Sequence, residues 1–525
     1  MTADPRLIHE AVAGQARSRP TAVAVVDRGE RVDYGTLDAT AEAYARALRA
    51  AGVGPGATVP VLLPRSARLV AVLLAVLKCG AAYAALDHRW RPDHIGRVTA
   101  VLRSPVMVAE PGAPGNLPLW PVPEGRPGLR RHNPPAPPPG GASVPGGASV
   151  PDAASRAAAV FFTSGSSGAP KAVLSPHRAT TRLFRGARWA DFGPGRVVLQ
   201  AAPVSWDAFS LELWGPLTTG GTSVVADTDY LLPDSLTELV GTTGVDTAWL
   251  TSSLFNLLVD EEDPRRSCFT GLRQVLTGGE RLSPDHVARF LARHPEITLI
   301  NGYGPVENCV FATTHRITPA DCATPGGVPI GLPVPGTSVH IMAGDGVLPA
   351  NTVGEICLAG EGLAVGYLGD AEATAAAFPT LVLDGAPVRV YRTGDLGLLD
   401  SDGVLHFRGR TDLQVKISGH RVEPGEIESA ARRVPGVREA VVVAVPAPGG
   451  GHDRLALFYT ADGPAAPSPP VVRRALSDRL PRHLVPHSVH HRASLPATAT
   501  GKTDRGGLLA SLGPVPSPTR KAPSP

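Results

Sequence analysis

Between residues 197 and 300, five short apolar runs (197–202, 223–226, 245–251, 274–276 and 299–300) alternate with segments whose apolar residues recur at helical spacing. Each run ends in polar or glycine residues. Strands that alternate with helices bury both faces of a sheet, building layered α/β folds in which ligands bind at the strand ends. The first expectation is a large α/β domain whose chemistry sits where these runs stop. Upstream, apolar residues recur at helical spacing over 36–51 and stop at Gly52, which suits a left-handed helix end.

The chain of 525 residues exceeds one ordinary core, and 43% hydrophobic content is ample for two or three packed units. After about residue 398 the texture changes. GVLHFRGR followed by LQVKISGHRV reads as a hairpin, then come a helix near Pro424, strands REAVVVAVP and DRLALFYTA, and a helix near 471–480. This predicts a small α+β unit joined near Arg410–Asp412, with a core domain over 1–410, a second domain over 411–510 and a disordered tail over 511–525. The tract at 133–152, in which GGASVP occurs twice, is too rich in proline and glycine to pack and is expected to be a surface loop.

Several function classes are disfavoured. The formal charge of +3 is small and scattered, so no electrostatic footprint recruits nucleic acid or an anionic membrane. The N-terminus lacks an apolar signal core, and LVAVLLAVL (69–77), bracketed by Arg68 and Lys78, is far short of a membrane span and reads as a buried helix. Cys79, Cys268, Cys309, Cys322 and Cys357 show no metal-like pairing and fit buried thiols in a reducing cytoplasm.

The stretch FFTSGSSGAPK (161–171) combines two glycines, four hydroxyls and a terminal lysine. Glycines let backbone N–H groups turn toward an anion, hydroxyls add donors, and lysine supplies a compact charge. It is not a Walker A loop, since Lys171 leads into the strand-like AVLS rather than a helix. A flexible connector is the plain alternative, and its neighbours must decide.

Those neighbours are LKCGAAYAALD (77–87), SWDAFSLELWGPL (205–217), NGYGPVE (301–307), GEICLAGEGLAVGYL (354–368), YRTGDL (391–396), GRTDLQVKISGHRVEPGEIE (409–428), LPRHLVP (480–486) and PATATGKTDR (496–505). In order and spacing they resemble the core motifs of amino-acid adenylation domains of nonribosomal peptide synthetases, members of the adenylate-forming family. The resemblance implies a large α/β N-terminal domain of layered sheets and helices with a small mobile α+β domain. It further implies ATP- and Mg²⁺-dependent formation of an aminoacyl-adenylate with release of pyrophosphate, then transfer to the phosphopantetheine thiol of a carrier protein. Such chemistry needs placement and charge neutralisation rather than a protein nucleophile.

Carried over by resemblance, Thr163, Ser164, Ser166, Ser167, Gly168 and Lys171 grip the β- and γ-phosphates. Tyr303 stacks on adenine, Gly279 and Glu280 line the base pocket, and Val306 stands beside the α-phosphate. Glu307 binds Mg²⁺, Asp395 the ribose hydroxyls, Arg410 the ribose and phosphate side, and Lys502 is the mobile catalytic lysine. Asp412 matches the hinge. Taken singly, Tyr303 reads more often as packing, Asp395 as a turn former and Lys502 as a surface residue; the joint motif set favours function.

The substrate pocket maps by the same resemblance onto Asp207, Ala208, Leu211, Trp249, Leu276, Gly278, Gly302, Val310 and Phe311, closed by Lys502. Asp207 marks an α-amino group, a carboxylate offering a charge-assisted bond to an ammonium; its alternative is a helix N-cap before AFSLELW. The remaining lining is apolar, and the pattern is similar to those associated with valine. Departures are Val306 for the usual threonine, which removes a hydroxyl near the α-phosphate, together with Ser418, Val365 and Thr500. The expectation is a cytoplasmic enzyme that loads a carrier protein in trans, either free-standing or a domain cut from a larger synthetase, with an MbtH-like helper protein as a further partner. Alternatives are an acyl-CoA or aryl-acid ligase of the same superfamily, or a weakened or inactive nucleotide-binding relative.

Overall fold

The computed structural model describes residues 6–122, 153–163, 171–228, 231–263, 267–447, 451–461, 466–496 and 503–512. The chain divides into two compact units, one running to Asp412 and the other starting at Leu413. The Pro/Gly tract, the loop residues Ser164, Ser166, Ser167 and Gly168, the lysine at Lys502, and the tail beyond 512 lie outside the described residues.

In the first unit a nine-stranded sheet carries six parallel strands in the spatial order Thr298–Tyr303, Gln274–Gly278, Thr247–Thr251, Val197–Gln200, Thr222–Val225 and Val23–Asp27. Antiparallel strands close both edges: Glu30–Asp33 on one side, Thr313–Arg316 and Leu332–Pro333 on the other. The expected apolar runs are all present, but two reach further than their hydrophobicity suggests. Gln274–Gly278 and Thr298–Tyr303 extend into glycines because Gly278 and Gly302 sit opposite one another in register. A Cβ on Gly278 would lie 2.1 Å from the carbonyl oxygen of Gly302, so only glycine permits this pairing.

A seven-stranded sheet holds Ala157–Thr163 and Lys171–Pro176 as an antiparallel pair in which Thr163 faces Lys171. The helix Ala67–Lys78 joins the two sheets through one core. All residues from Leu69 to Leu77 are buried, as a helix apolar on every side requires, and the Ser66 side chain caps its start by accepting from the Leu69 N–H. The helix Tyr34–Ala50 packs into the same cluster and ends at Gly52, whose φ of 86° is the left-handed turn expected there. Among the described residues no helix is long and apolar enough to cross a membrane.

One sequence-based pairing is corrected. GVLHFRGR does not form a hairpin with LQVKISGHRV. Its strand, Leu405–Arg410, pairs with the long strand Ala386–Leu399 of a six-stranded sheet in the first unit. Strand-forming residues do not choose their partner locally, and here the partner upstream wins. The hairpin of the second unit is instead Val415–Ile417 with His420–Val422. That unit also carries the antiparallel pair Val437–Pro446 and His452–Ala461, with helices Pro424–Arg432 and Pro469–Ser477 packed on Val422, Leu457 and Tyr459. Ser511 and Leu512, expected in a disordered tail, follow the helix Arg505–Ala510, and Leu512 packs against a cluster containing Val441 and Phe458.

Candidate active site

The strand Thr298–Tyr303 delivers Tyr303 at its C-terminal end, where its hydroxyl donates to Asp395 Oδ2 across 2.5 Å. Burial and the adjacent carboxylate push the Tyr303 hydroxyl well above its usual range, so it is a permanent donor. Asp395 lies opposite Arg410 in the strand pair, and its other oxygen accepts from Arg410 Nη1. Arg410 in turn grips Asp412 through Nε at 2.7 Å and Nη2 at 2.9 Å. Four residues from 303 to 412 thus form one chain of charge-assisted bonds. The turn before Asp395 is made by Gly394 at φ 70°, and the Thr393 hydroxyl accepts from the Asp395 N–H at 2.9 Å.

Beyond Tyr303 the chain enters the short 3₁₀ turn Val306–Asn308, which buries Glu307 to 1% exposure. Glu307 Oε1 accepts from the Tyr367 hydroxyl at 2.9 Å, and Lys171 Nζ stands 5.0 Å from the centre of the Tyr367 ring. Tyr367 is held there because Gly366–Tyr367 pairs with the strand that begins at Lys171. The ring therefore mediates between a cation and a carboxylate that sequence places 136 positions apart. Thr163 is buried at the end of its strand, and Val306 is half-buried against the cluster containing Tyr303. Gly279 takes φ 83°; Ser252 Oγ donates to Gly278 O and Glu280 O, while Ser253 donates to the Glu280 carboxylate.

Asp207 is the first residue of the helix Asp207–Thr219, and Trp206 before it makes no side-chain cap. The N-cap alternative for Asp207 therefore fails: its Oδ2 accepts from the Val310 N–H at 2.9 Å. Ala208, Leu211, Leu276, Val310 and Phe311 share one apolar cluster, with Trp249 packed against it. The Trp249 Nε1–H finds no partner among the described residues, so the lining is less uniformly apolar in its chemistry than the sequence suggests. Gly302 leaves room for the Phe311 ring, which a Cβ would approach to 2.2 Å.

A model of the AMP-binding enzyme family matches residues 12–368, and one of the AMP-binding enzyme C-terminal domain matches 426–502. The chain belongs to the AMP-binding enzyme family. It is 34% identical over 510 residues to tyrocidine synthase 3 of Brevibacillus parabrevis, covering 95% of this chain and 8% of that protein. It is 35% identical over 512 residues to malpibaldin synthetase of Mortierella alpina, covering 96% and 9%. The chain thus spans less than a tenth of either relative's length. Among solved structures it resembles PA1221, an NRPS protein containing adenylation and PCP domains, with a TM-score of 0.82, 35% identity and coverage of 98% of this chain and 99% of that one. It also resembles the amide bond synthetase McbA from Marinactinospora thermotolerans, with a TM-score of 0.79, 28% identity and coverage of 95% and 99%. Within the AMP-binding family, the relatives and the solved structure it resembles at 34–35% identity are peptide synthetases and an NRPS protein.

For this AMP-binding enzyme, sequence reasoning missed Tyr367, Arg182 and Glu212. Tyr367 lies within GEICLAGEGLAVGYL, where nothing local marks it out. Arg182 and Glu212 carry no local signal either, since a charged residue on a helix reads as solvated until its burial is known. Both are buried: Arg182 is 0% exposed and Glu212 1%. Glu212 accepts from the Ala201 and Ala202 N–H groups at 2.9 and 2.8 Å, and burial pushes its carboxyl up to about 8. Four of the five cysteines are buried and all are free, with burial raising their thiols.

Proposed function

We propose that this chain activates a small branched aliphatic amino acid, L-valine first, by attack of its carboxylate on the α-phosphate of ATP. The products are an aminoacyl-adenylate and pyrophosphate. The acyl group then passes to the phosphopantetheine thiol of a carrier protein in trans, with AMP as the leaving group. The observation that carries the amino-acid reading is the placement of Asp207 beside an apolar cluster, bonded to the backbone of Val310. A carboxylate there favours an ammonium and disfavours the acyl-CoA or aryl-acid alternative, whose substrates lack one. Isoleucine, leucine and 2-aminobutyrate are near competitors, because one methylene in an apolar pocket is worth only about 1–3 kcal/mol.

In this reading Tyr303 stacks on adenine beside Gly279 and Glu280, Asp395 receives the ribose hydroxyls, and Arg410 holds the Asp395 carboxylate oriented. Lys171, with Thr163 and the loop to Gly168, holds the outer phosphates; Lys502 neutralises charge at the reacting oxygens. Glu307 is a buried hard-oxygen donor and fits Mg²⁺ shared with phosphates, a site where one or two carboxylates suffice. The ion would offset phosphate charge when bound. Asp412 serves as the hinge. Val306 in place of a hydroxyl donor supports a slow enzyme rather than an inactive one, since the remaining groups are present.

The test is exchange of labelled pyrophosphate into ATP across a panel of amino acids. Amino-acid-dependent exchange led by valine is expected. Exchange led by phenylalanine, a polar amino acid or an acid without an amino group overturns the pocket assignment. Loading of a separately purified carrier protein tests the in-trans step, and co-expression with an MbtH-like protein tests the helper; unchanged solubility and activity dismiss it.

A further inference from the structure

Residues 308–311 carry an unusual backbone. Cys309 and Val310 are consecutive non-glycine residues at φ 48° and φ 59°. The left-handed region disfavours any Cβ and disfavours a β-branched residue most, so this turn does not hold itself. One restraint is already described: Asp207 accepts the Val310 N–H. The other comes from beneath. Arg182 Nη2 donates to Asn308 O at 2.7 Å, to Phe311 O at 2.9 Å and to Asn308 Oδ1 at 3.1 Å. The two carbonyls flanking the left-handed pair therefore converge on a single nitrogen. Arg182 Nη1 donates to Ala179 O at 2.9 Å, which ties the guanidinium to the helix His177–Thr181 behind the Lys171 strand.

We infer that Arg182 is a positioning residue for the amino-acid pocket: it holds the 308–311 turn so that Val310 meets Asp207 and Val310 and Phe311 present their side chains to the substrate. This rests on the pocket assignment proposed above. Arg182 itself is fully buried, and its hydrogen bonds among the described residues go to three backbone carbonyls and the Asn308 amide oxygen rather than to a carboxylate. Burial lowers it to about 10, which still leaves it protonated at neutral pH. The rigid fork of the guanidinium matters, because a lysine ammonium is a single point and cannot span Ala179 O and the two turn carbonyls together. Gly362 closes the arrangement. A Cβ there would fall 1.8 Å from Asn308 Oδ1 and 2.2 Å from Arg182 Nη2, so even alanine displaces the clamp.

The experiment measures pyrophosphate exchange by wild type, Arg182→Lys, Arg182→Met and Gly362→Ala, with KM for valine and for ATP determined separately alongside thermal midpoints. Expected is a rise of roughly 10- to 100-fold in valine KM for Arg182→Met with ATP KM moved less than about threefold, partial recovery in Arg182→Lys, and a flattened preference among valine, leucine and isoleucine. Should the arginine variants fail to fold, Gly362→Ala disturbs the same bonds and must show the same split. Valine and ATP KM rising together, or a lowered midpoint with valine KM unchanged, overturns the positioning role while leaving the proposed reaction intact. A wild type without amino-acid-dependent exchange overturns both.

Discussion

The Tyr303 hydroxyl donates to Asp395 Oδ2 across 2.5 Å, joining the end of a parallel strand in one sheet to the long antiparallel strand of another. Asp395 is 7% exposed, so its carboxylate has little water to fall back on and depends on Tyr303 and Arg410. Tyr303→Phe keeps the ring and removes one donor. It is expected to cost about 1–3 kcal/mol of stability and to raise ATP KM by several-fold. Thermal melting and exchange kinetics read the two effects, and an unaltered ATP KM dismisses a role for the Tyr303 hydroxyl in orienting Asp395 toward the nucleotide.

In the proposed reading Asp207 does two jobs that one substitution separates. Asparagine can still accept the Val310 N–H but carries no charge for an ammonium. Asp207→Asn is expected to lower kcat/KM for valine by roughly 10- to 150-fold, the value of about 1.5–3 kcal/mol for a charge-assisted bond, with thermal stability close to wild type. Near-normal kcat/KM in this variant rules out the ammonium contact.

Tyr367→Phe retains the ring facing Lys171 and deletes the bond to Glu307. Glu307 then loses one contact that orients it. The expected outcome is a several-fold higher Mg²⁺ concentration for half-maximal exchange, with little change in valine KM. A Mg²⁺ titration that superimposes on wild type dismisses this role.

Two buried groups bend the stability profile in opposite senses. Burial lowers His177 from 6.5 to about 3, so the unfolded chain binds its proton first, and stability present above pH 6.5 is lost as pH falls through the window below it. Burial raises Glu212 from 4.5 to about 8, so the folded chain holds the proton, and stability present below pH 4.5 is lost as pH rises toward 8. Each contributes a slope of about 1.4 kcal/mol per pH unit within its window. Glu212→Gln, which keeps an acceptor for the Ala201 and Ala202 N–H groups, should flatten the alkaline limb; His177→Asn should flatten the acid limb. Denaturation curves at pH 5, 6.5 and 8 that run parallel to wild type contradict both assignments.

The alternation of apolar runs was enough to establish an α/β architecture, because strand and helix periodicities are written in neighbouring residues. The buried helix Ala67–Lys78 and the glycine stop at Gly52 were legible for the same reason. The family, too, was readable in ordered short motifs, and with it the candidates Lys171, Glu307, Asp395 and Arg410.

What remained hidden was how distant segments pair and bond. The pairing of Leu405–Arg410 with Ala386–Leu399 sets Arg410 opposite Asp395, yet residues 403–422 read locally as a hairpin. Tyr367 reaches Glu307 only through the register of Gly366–Tyr367 against the Lys171 strand. Arg182 and Glu212 looked like solvated charges because burial belongs to the assembled core. Local preference is encoded over a few residues and survives in the chain as read. Partner choice, burial and the left-handed turn at Cys309 and Val310 are decided by packing and hydrogen bonds among segments that meet only once the sheets have formed.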